Sequence, residues 1–185
     1  MPPAATPVHS PPSAVASDFP LSDRVGAFGV SEAEITEVPV PGPVRVDRRR
    51  DLLISHGRSA RTCREPVDFA YYDSRRLLAV LCGRERVVRL FDRSLNPVGS
   101  APAGTGPSRI ASDGRAVLYV TDAVGKSLLV YHLHPRFELI RRVSLPGAPS
   151  AIARDGDRLR LTVAGRELEF AAGSRPVPCT RSPRC

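Results

Sequence analysis

GPSRIASDGRAVLYVTDAVGKSLLVYHL, residues 106–133, decides the fold. Two short apolar runs, 108–111 and 116–121, are joined through Asp113 and Gly114, a pair that supplies the positive φ a tight hairpin turn needs. A third run, 127–133, follows the break at 123–126 and sets Leu129, Tyr131 and Leu133 on one face at the two-residue period of a strand. Residues 137–145 supply a fourth run before Pro146 and Gly147. Four short strands joined by tight turns predict one antiparallel sheet.

The same order recurs on both sides. PVDFA at 66–70, PSRIA at 107–111 and PSAIA at 149–153 open on prolines 41 and then 42 residues apart, a period that belongs to propeller-type blades. The unit before repeats strands at 76–81 and 86–91, with a turn at Gly83 and a short outer strand after Asn96 and Pro97. The unit after has strands at 158–163 and 167–170 around Ala164 and Gly165, then gives way to SRPVPCTRSPRC. Upstream, ITEVPVPGP at 35–43 is similar to IRRVSLPGAP at 140–149 and so reads as the outer strand of a still earlier blade, with a contracted unit behind it. The expected organisation is a flexible Pro- and Ala-rich leader over 1–33, blade repeats over 34–173 (34–65 degraded, 66–106, 107–148, and 149–173 truncated), and an irregular Pro-, Arg- and Cys-containing tail over 174–185. The fold class is all-β: antiparallel four-stranded blade repeats forming a partial β-propeller of about three blades.

Composition agrees with that class. Hydrophobic residues at 42% are enough for a core, while 19 prolines and 14 glycines disfavour long helices. The formal charge of +8 invites a polyanion, but Lys126 is the single lysine, and arginine-rich usage beside abundant Ala, Pro and Gly is that of a GC-rich genome. The arginines are scattered (Arg45, Arg58, Arg75, Arg89, Arg115, Arg141, Arg158), and the densest run, Arg48 to Arg50, reads as a solvated turn. Nucleic acid is not expected as a partner. Residues 1–20 have neither a charged n-region nor an apolar h-region, and there is no run of eighteen apolar residues, so neither an export signal nor a transmembrane segment is expected. The compartment defaults to the cytoplasm.

Cys63, Cys82, Cys179 and Cys185 lack CxxC spacing and histidine partners, which argues against a structural metal site. Cys63 and Cys82 flank the first hairpin of one repeat and Cys179 and Cys185 close a short loop, yet without an export signal free thiols are expected. His132 and His134 share a strand face and offer two metal ligands without a third, so a structural or solvent-facing role is preferred and no metal or cofactor is assigned. Asp51, His56 and Ser59 contain triad residue types, but no serine lies in a GxSxG elbow, and no catalytic residue is assigned. Asp68, Asp113, Asp122 and Asp155 recur near strand ends, where aspartate closes turns. Gly104, Thr105 and Gly106 precede a strand and open no helix, so they read as a loop and not as a phosphate cradle. Tyr71, Tyr72, Phe91, Tyr119 and Tyr131 suit packing positions better than an exposed stacking platform.

Residues 106–133 resemble the repeat of the YVTN-type β-propellers, with the signature standing as Tyr119, Val120, Thr121 and Asp122. Including the partial units the resemblance extends over about 34–170 and is closest to actinobacterial, lactonase-like members. It implies closed seven-bladed rings of about twice this length, members that are commonly exported, and relatives that include sugar lactonases and binding subunits of quinoprotein dehydrogenases. This chain falls short of a ring, and a truncated stack of blades is expected to leave an apolar face at each end. A protein or small-molecule ligand, or a second copy completing the ring, is the expected partner. The leading functional reading is a non-catalytic binding module that uses loops 84–86, 122–127 and 134–136. The alternative is a lactonase-like or quinoprotein-like enzyme or enzyme subunit, either active or inactivated by truncation.

Overall fold

The computed structural model describes residues 35–38, 44–47, 51–55 and 57–173. Within them the short apolar runs form fifteen strands in four sheets. The first sheet holds β1 (Ile35–Val38), β2 (Val44–Asp47), β3 (Leu52–Ser55) and β4 (Arg58–Arg61). The second holds β5 (Pro66–Tyr72), β6 (Leu77–Cys82), β7 (Val87–Phe91) and β8 (Pro97–Pro102), with a single 3-10 turn at Asp73–Arg75. The third holds β9 (Pro107–Ser112), β10 (Val117–Asp122), β11 (Ser127–His132) and β12 (Glu138–Ser144). The fourth holds β13 (Pro149–Asp155), β14 (Arg158–Val163) and β15 (Arg166–Ala171). Every sheet is antiparallel with its strands in chain order, so the protein is all-β and built of blade-like sheets of three or four strands.

One sequence assignment is corrected. Ile35–Val38 is not the outer strand of an earlier blade: it pairs with β2, Ile35 opposite Asp47 and Val38 opposite Val44, as the first strand of its own sheet. The likeness between 35–43 and 140–149 is one of proline-glycine turn residues, and turn chemistry does not say on which side of the turn the partner strand lies. The contracted unit is therefore a full sheet of four-residue strands, and the described residues hold four sheets where the repeat count suggested about three.

Three apolar layers hold the sheets in sequence. Val46 and Leu53 meet Leu78, Val80, Cys82 and Phe91 between the first and second sheets. Leu81, Val88 and Leu90 meet Leu118, Val120, Leu129 and Tyr131 between the second and third. Val117, Tyr119, Leu128 and Val130 meet Leu159, Leu161, Val163 and Phe170 between the third and fourth. Residues of a strand alternate faces, so β6 and β10, which have neighbours on both sides, are buried along nearly their whole length and read as continuous apolar runs. Each fully buried leucine in these layers stabilises the stack by about 1.5–3 kcal/mol.

The repeat is also a backbone device. Pro66 lies opposite Cys82, Pro107 opposite Asp122 and Pro149 opposite Val163, and the pairing slips by one residue directly after each proline. Val67, Ser108 and Ser150 are the extra residues of these bulges. Proline is tolerated because β5, β9 and β13 are edge strands, which need no ladder donor on their open side. These first strands lie next to one another from sheet to sheet and form the inner edge of the stack.

At one end of the sheets the inter-sheet linkers and the loops between second and third strands come together. There Gly83 N–H donates to Glu65 O at 3.0 Å, Ala123 N–H to Gly106 O at 2.7 Å and Ala164 N–H to Ala148 O at 3.4 Å. Thr62, Ala103 and Leu145 donate in turn to the carbonyls of Asp51, Arg86 and Lys126, residues with φ of 55°, 56° and 45°. We call this the linker end and the opposite one the hairpin end.

The outward face of the fourth sheet is polar, contrary to the expectation of an apolar face at the end of the array. Arg158 pairs with Glu169 at 3.2 Å, and Arg160 with Asp155 at 3.2 Å and with Glu167 at 3.8 Å.

Candidate functional site

Asp122, last residue of the signature, closes β10 at the linker end and is wholly buried. Its carboxylate accepts the backbone N–H groups of Thr105 (2.9 Å), Gly106 (2.8 Å) and Gly125 (2.9 Å), and the Thr105 hydroxyl at 3.2 Å. Burial pushes its carboxyl up, but the hydrogen bonds from Thr105, Gly125 and Gly106 outweigh it and hold the group below the ordinary carboxylate value. The glycines around it are required by space: a Cβ on Gly104 (φ +90°) or on Gly125 would overlap the Asp122 carboxylate. Residues 104–106 thus form a small anion cradle whose anion is the protein's own aspartate, which agrees with their reading as a loop and leaves those N–H groups no vacancy for a phosphate.

The preceding repeat solves the same problem covalently. Cys82 occupies the Asp122 position, opposite the opening proline, and Cys63 occupies the Gly104 position, three residues before that proline. The two form a disulfide with Cα atoms 5.8 Å apart, so the free-thiol expectation for this pair is corrected. Proximity comes from the bulged β5–β6 pairing, which turns the linker back over the end of β6; sequence separation alone does not reveal it. Cys179 and Cys185 lie outside the described residues. The linker is held further by Arg89, whose guanidinium donates to Thr62 O at 2.7 Å and to Glu85, while Glu85 accepts the Arg64 N–H at 3.1 Å. In the fourth sheet the equivalent residue is Val163, with Gly147 fitted close against it and Ala164. Carboxylate, disulfide and apolar contact serve one latch position in three successive sheets.

Two tyrosines extend the latching sideways. Tyr131, on the face toward the second sheet, donates its hydroxyl to Pro102 O. Tyr119, on the face toward the fourth, exchanges hydrogen bonds with the Gly173 backbone, its hydroxyl lying 3.2 Å from Gly173 O. Burial raises the pKa of both phenols. Thr121 completes the signature with a 2.8 Å hydroxyl contact to Ser108 on the bulge, and Val120 is core. Tyr119, Val120, Thr121 and Asp122 are therefore all turned into the stack.

The remaining candidates do not converge. Asp113 accepts the N–H groups of Arg115, Ala116 and Val117, each at 2.8 Å, as its turn reading anticipates. Asp68 departs from that reading: it lies within β5 and accepts Ile110 N–H at 2.9 Å, tying the second sheet to the third. Asp155 pairs with Arg160. His132 ends β11, His134 is exposed in the following loop, and among the described residues no group of three or more His, Cys, Asp or Glu is placed to hold a metal. Ser59 is exposed on β4, Asp51 accepts the Glu65 N–H at 3.4 Å, and His56 and Arg48 to Arg50 lie outside the described residues. Tyr72 and Phe91 are buried and Tyr71 half-buried. The arrangement can hold backbone segments in place, and among the described residues the candidates named above are not brought together.

No protein-family model matches the sequence, and no curated protein matches it. The likeness is one of fold. Virginiamycin B lyase from Staphylococcus aureus, solved as a catalytically inactive variant with quinupristin, superposes with a TM-score of 0.59 at 16% identity, over 79% of this chain and 54% of that one. Hydrazine synthase from Kuenenia stuttgartiensis gives 0.54 at 17% identity, over 81% of this chain and 38% of that one. BBS1N, solved in complex with ARL6DN, gives 0.51 at 17% identity, over 68% and 44%. The chain thus has the β-propeller fold, which binding proteins and enzymes share, and spans between 38% and 54% of these structures.

Proposed function

We propose that this chain is a non-catalytic, propeller-type binding module of YVTN-like repeats, in which the sheets form a rigid frame and the inter-strand loops meet the partner. The observation that carries the reading is the state of Asp122. The signature's only acid is buried and its oxygens are occupied by three backbone N–H groups and a hydroxyl, so it organises loops 104–106 and 123–126 and has no oxygen directed to a substrate. A frame that fixes its loops in this way lowers the ordering cost of binding through them. The Cys63–Cys82 disulfide favours an oxidising compartment over the cytoplasmic default.

The test sets binding against lactone chemistry. Purified full chain with its disulfide intact is incubated with aliphatic and sugar lactones, and acid release is followed with a pH indicator. The expected rate is that of buffer alone. Turnover above buffer that Asp122→Asn lowers while the melting temperature stays in the folded range would replace this reading with the enzymatic one.

A further inference from the structure

The loops at the linker end carry cations and one exposed aliphatic side chain. Residues 83–86, 123–126 and 164–165 connect second to third strands in successive sheets, and the linker that contains Arg64 lies against the first of these loops, Gly83 N–H donating to Glu65 O and Arg64 N–H to Glu85. Arg64, Arg84, Arg86, Lys126 and Arg166 are all exposed there, and among the described residues none of them takes part in an ion pair. Most carboxylates of this end are already engaged: Asp122 is sealed in its cradle, Glu85 bonds Arg89 and the Arg64 N–H, and Glu167 faces Arg160. Among the described residues, Asp47 is likewise engaged, and Glu65 and Asp51, whose carboxylate accepts the Glu65 N–H, remain to offset these five cations. By the same reckoning the hairpin end is also cationic, since Asp92 and Asp113 hold backbone N–H groups and Asp155 pairs with Arg160, so what sets the linker end apart among the described residues is Val124.

Val124 stands at the same end, on the loop of Lys126, and is 72% exposed, the most among the described large hydrophobic side chains. It is nevertheless fixed. Asp122 holds Gly125 N–H, Ala123 N–H donates to Gly106 O, Lys126 O accepts Leu145 N–H, and Gly106 lacks the Cβ that would overlap the valine. An aliphatic knob held by its own loop, at the end of the stack that carries these cations, is suited to a partner with the complementary pattern.

We infer that the linker end docks an acidic, extended polypeptide segment that seats an aliphatic residue on Val124. The inference rests on the binding-module reading of these same loops. Stacked sheets lie about 10 Å apart, and an extended chain advances about 3.3 Å per residue, so carboxylates about three residues apart reach successive loops. A polypeptide is favoured over nucleic acid because no aromatic side chain stands among these loops to stack a base.

The test uses the full chain, disulfide intact, and a fluorescent peptide with glutamate at every third position and leucine at its centre, read by anisotropy at low and high salt. Saturable binding that weakens with salt is expected. The triple variant Arg84→Glu, Arg86→Glu, Lys126→Glu should weaken it by about tenfold or more. Val124→Ser should weaken it further, and Arg75→Glu with Arg115→Glu at the hairpin end should leave it unchanged, all with unaltered melting temperature. Absence of saturable binding, or an equal loss from the hairpin-end pair, overturns the assignment. So does an oligonucleotide of equal charge that binds more tightly and is lost in the same triple variant. Failure here without lactone turnover removes this docking surface alone, whereas turnover removes the binding reading beneath it.

Discussion

Asp122 keeps a charge where no water reaches it, and the energetics of that placement can be tested. Its carboxyl is pushed up by burial and drawn further down by the N–H groups of Thr105, Gly125 and Gly106 and the Thr105 hydroxyl, so the folded chain holds it below the unfolded value of about 3.9. Between those two values the unfolded state binds more protons than the folded one. The contribution is therefore complete above the unfolded value and is lost as pH falls through the folded one. Asp122→Asn preserves shape but removes the charge and turns an amide N–H toward a donor, which should cost about 1.5–3 kcal/mol near neutral pH. Urea unfolding from pH 7 down to pH 3 measures it: the gap between wild type and variant should narrow below about pH 4. A gap that stays constant would mean that the hydrogen-bond geometry, and not the charge, holds the loops. Asp92 is also held low, by Asn96 and Ser94 against its own burial, but it titrates in both proteins and cancels from the difference.

At the scale of elements, the equivalence of Cys82 with Asp122 makes the disulfide the latch between first and second sheets. It closes a loop with a sequence separation of 19, for which the chain-entropy account gives about 3 kcal/mol. Cys63→Ser with Cys82→Ser should speed hydrogen exchange across β1–β4 and the 62–65 linker, while β9–β12 stay protected by the apolar layers on both their faces. Uniform acceleration through all four sheets would show instead that the stack unfolds as one unit. This latch is half legible in the sequence: Cys63 and Cys82 flank one hairpin and could meet in space, but the compartment argument favours free thiols and the one-residue bulge after Pro66 leaves no compositional mark. The strands around it were legible: Asp113 with Gly114 and the recurring proline fix turns, and β6 and β10, apolar on both faces, are recognisable as buried strands. Asp68 shows the same limit as the cysteines. A strand-end aspartate reads as turn chemistry until the neighbouring sheet brings Ile110 N–H to it.

At the scale of the whole stack, the question is what keeps four apolar-layered sheets from adding a fifth by collision with another molecule. On the fourth sheet it is the outward face of β14 and β15, where Arg160 lies opposite Glu169 in register and also reaches Asp155 and Glu167. The Arg158 and Glu169 side chains of the neighbouring pair are 43% and 37% exposed, so such pairs add at most about 1 kcal/mol to folding. Their effect is on association, since stacking would strip water from several charges at once. The alternation of β14 makes the prediction sharp: Leu159, Leu161 and Val163 already face inward, so Arg160→Leu with Glu169→Leu would give the strand a second apolar face beside Ala153. The double variant should melt close to wild type, yet its mass by light scattering should rise with concentration, with wild type showing no association through this face. A variant whose mass stays constant would locate the barrier elsewhere. Wild-type association abolished by Ala153→Glu would place a partner copy on this very face, because that residue contributes nothing to the ion pairs and touches only what lies against the sheet.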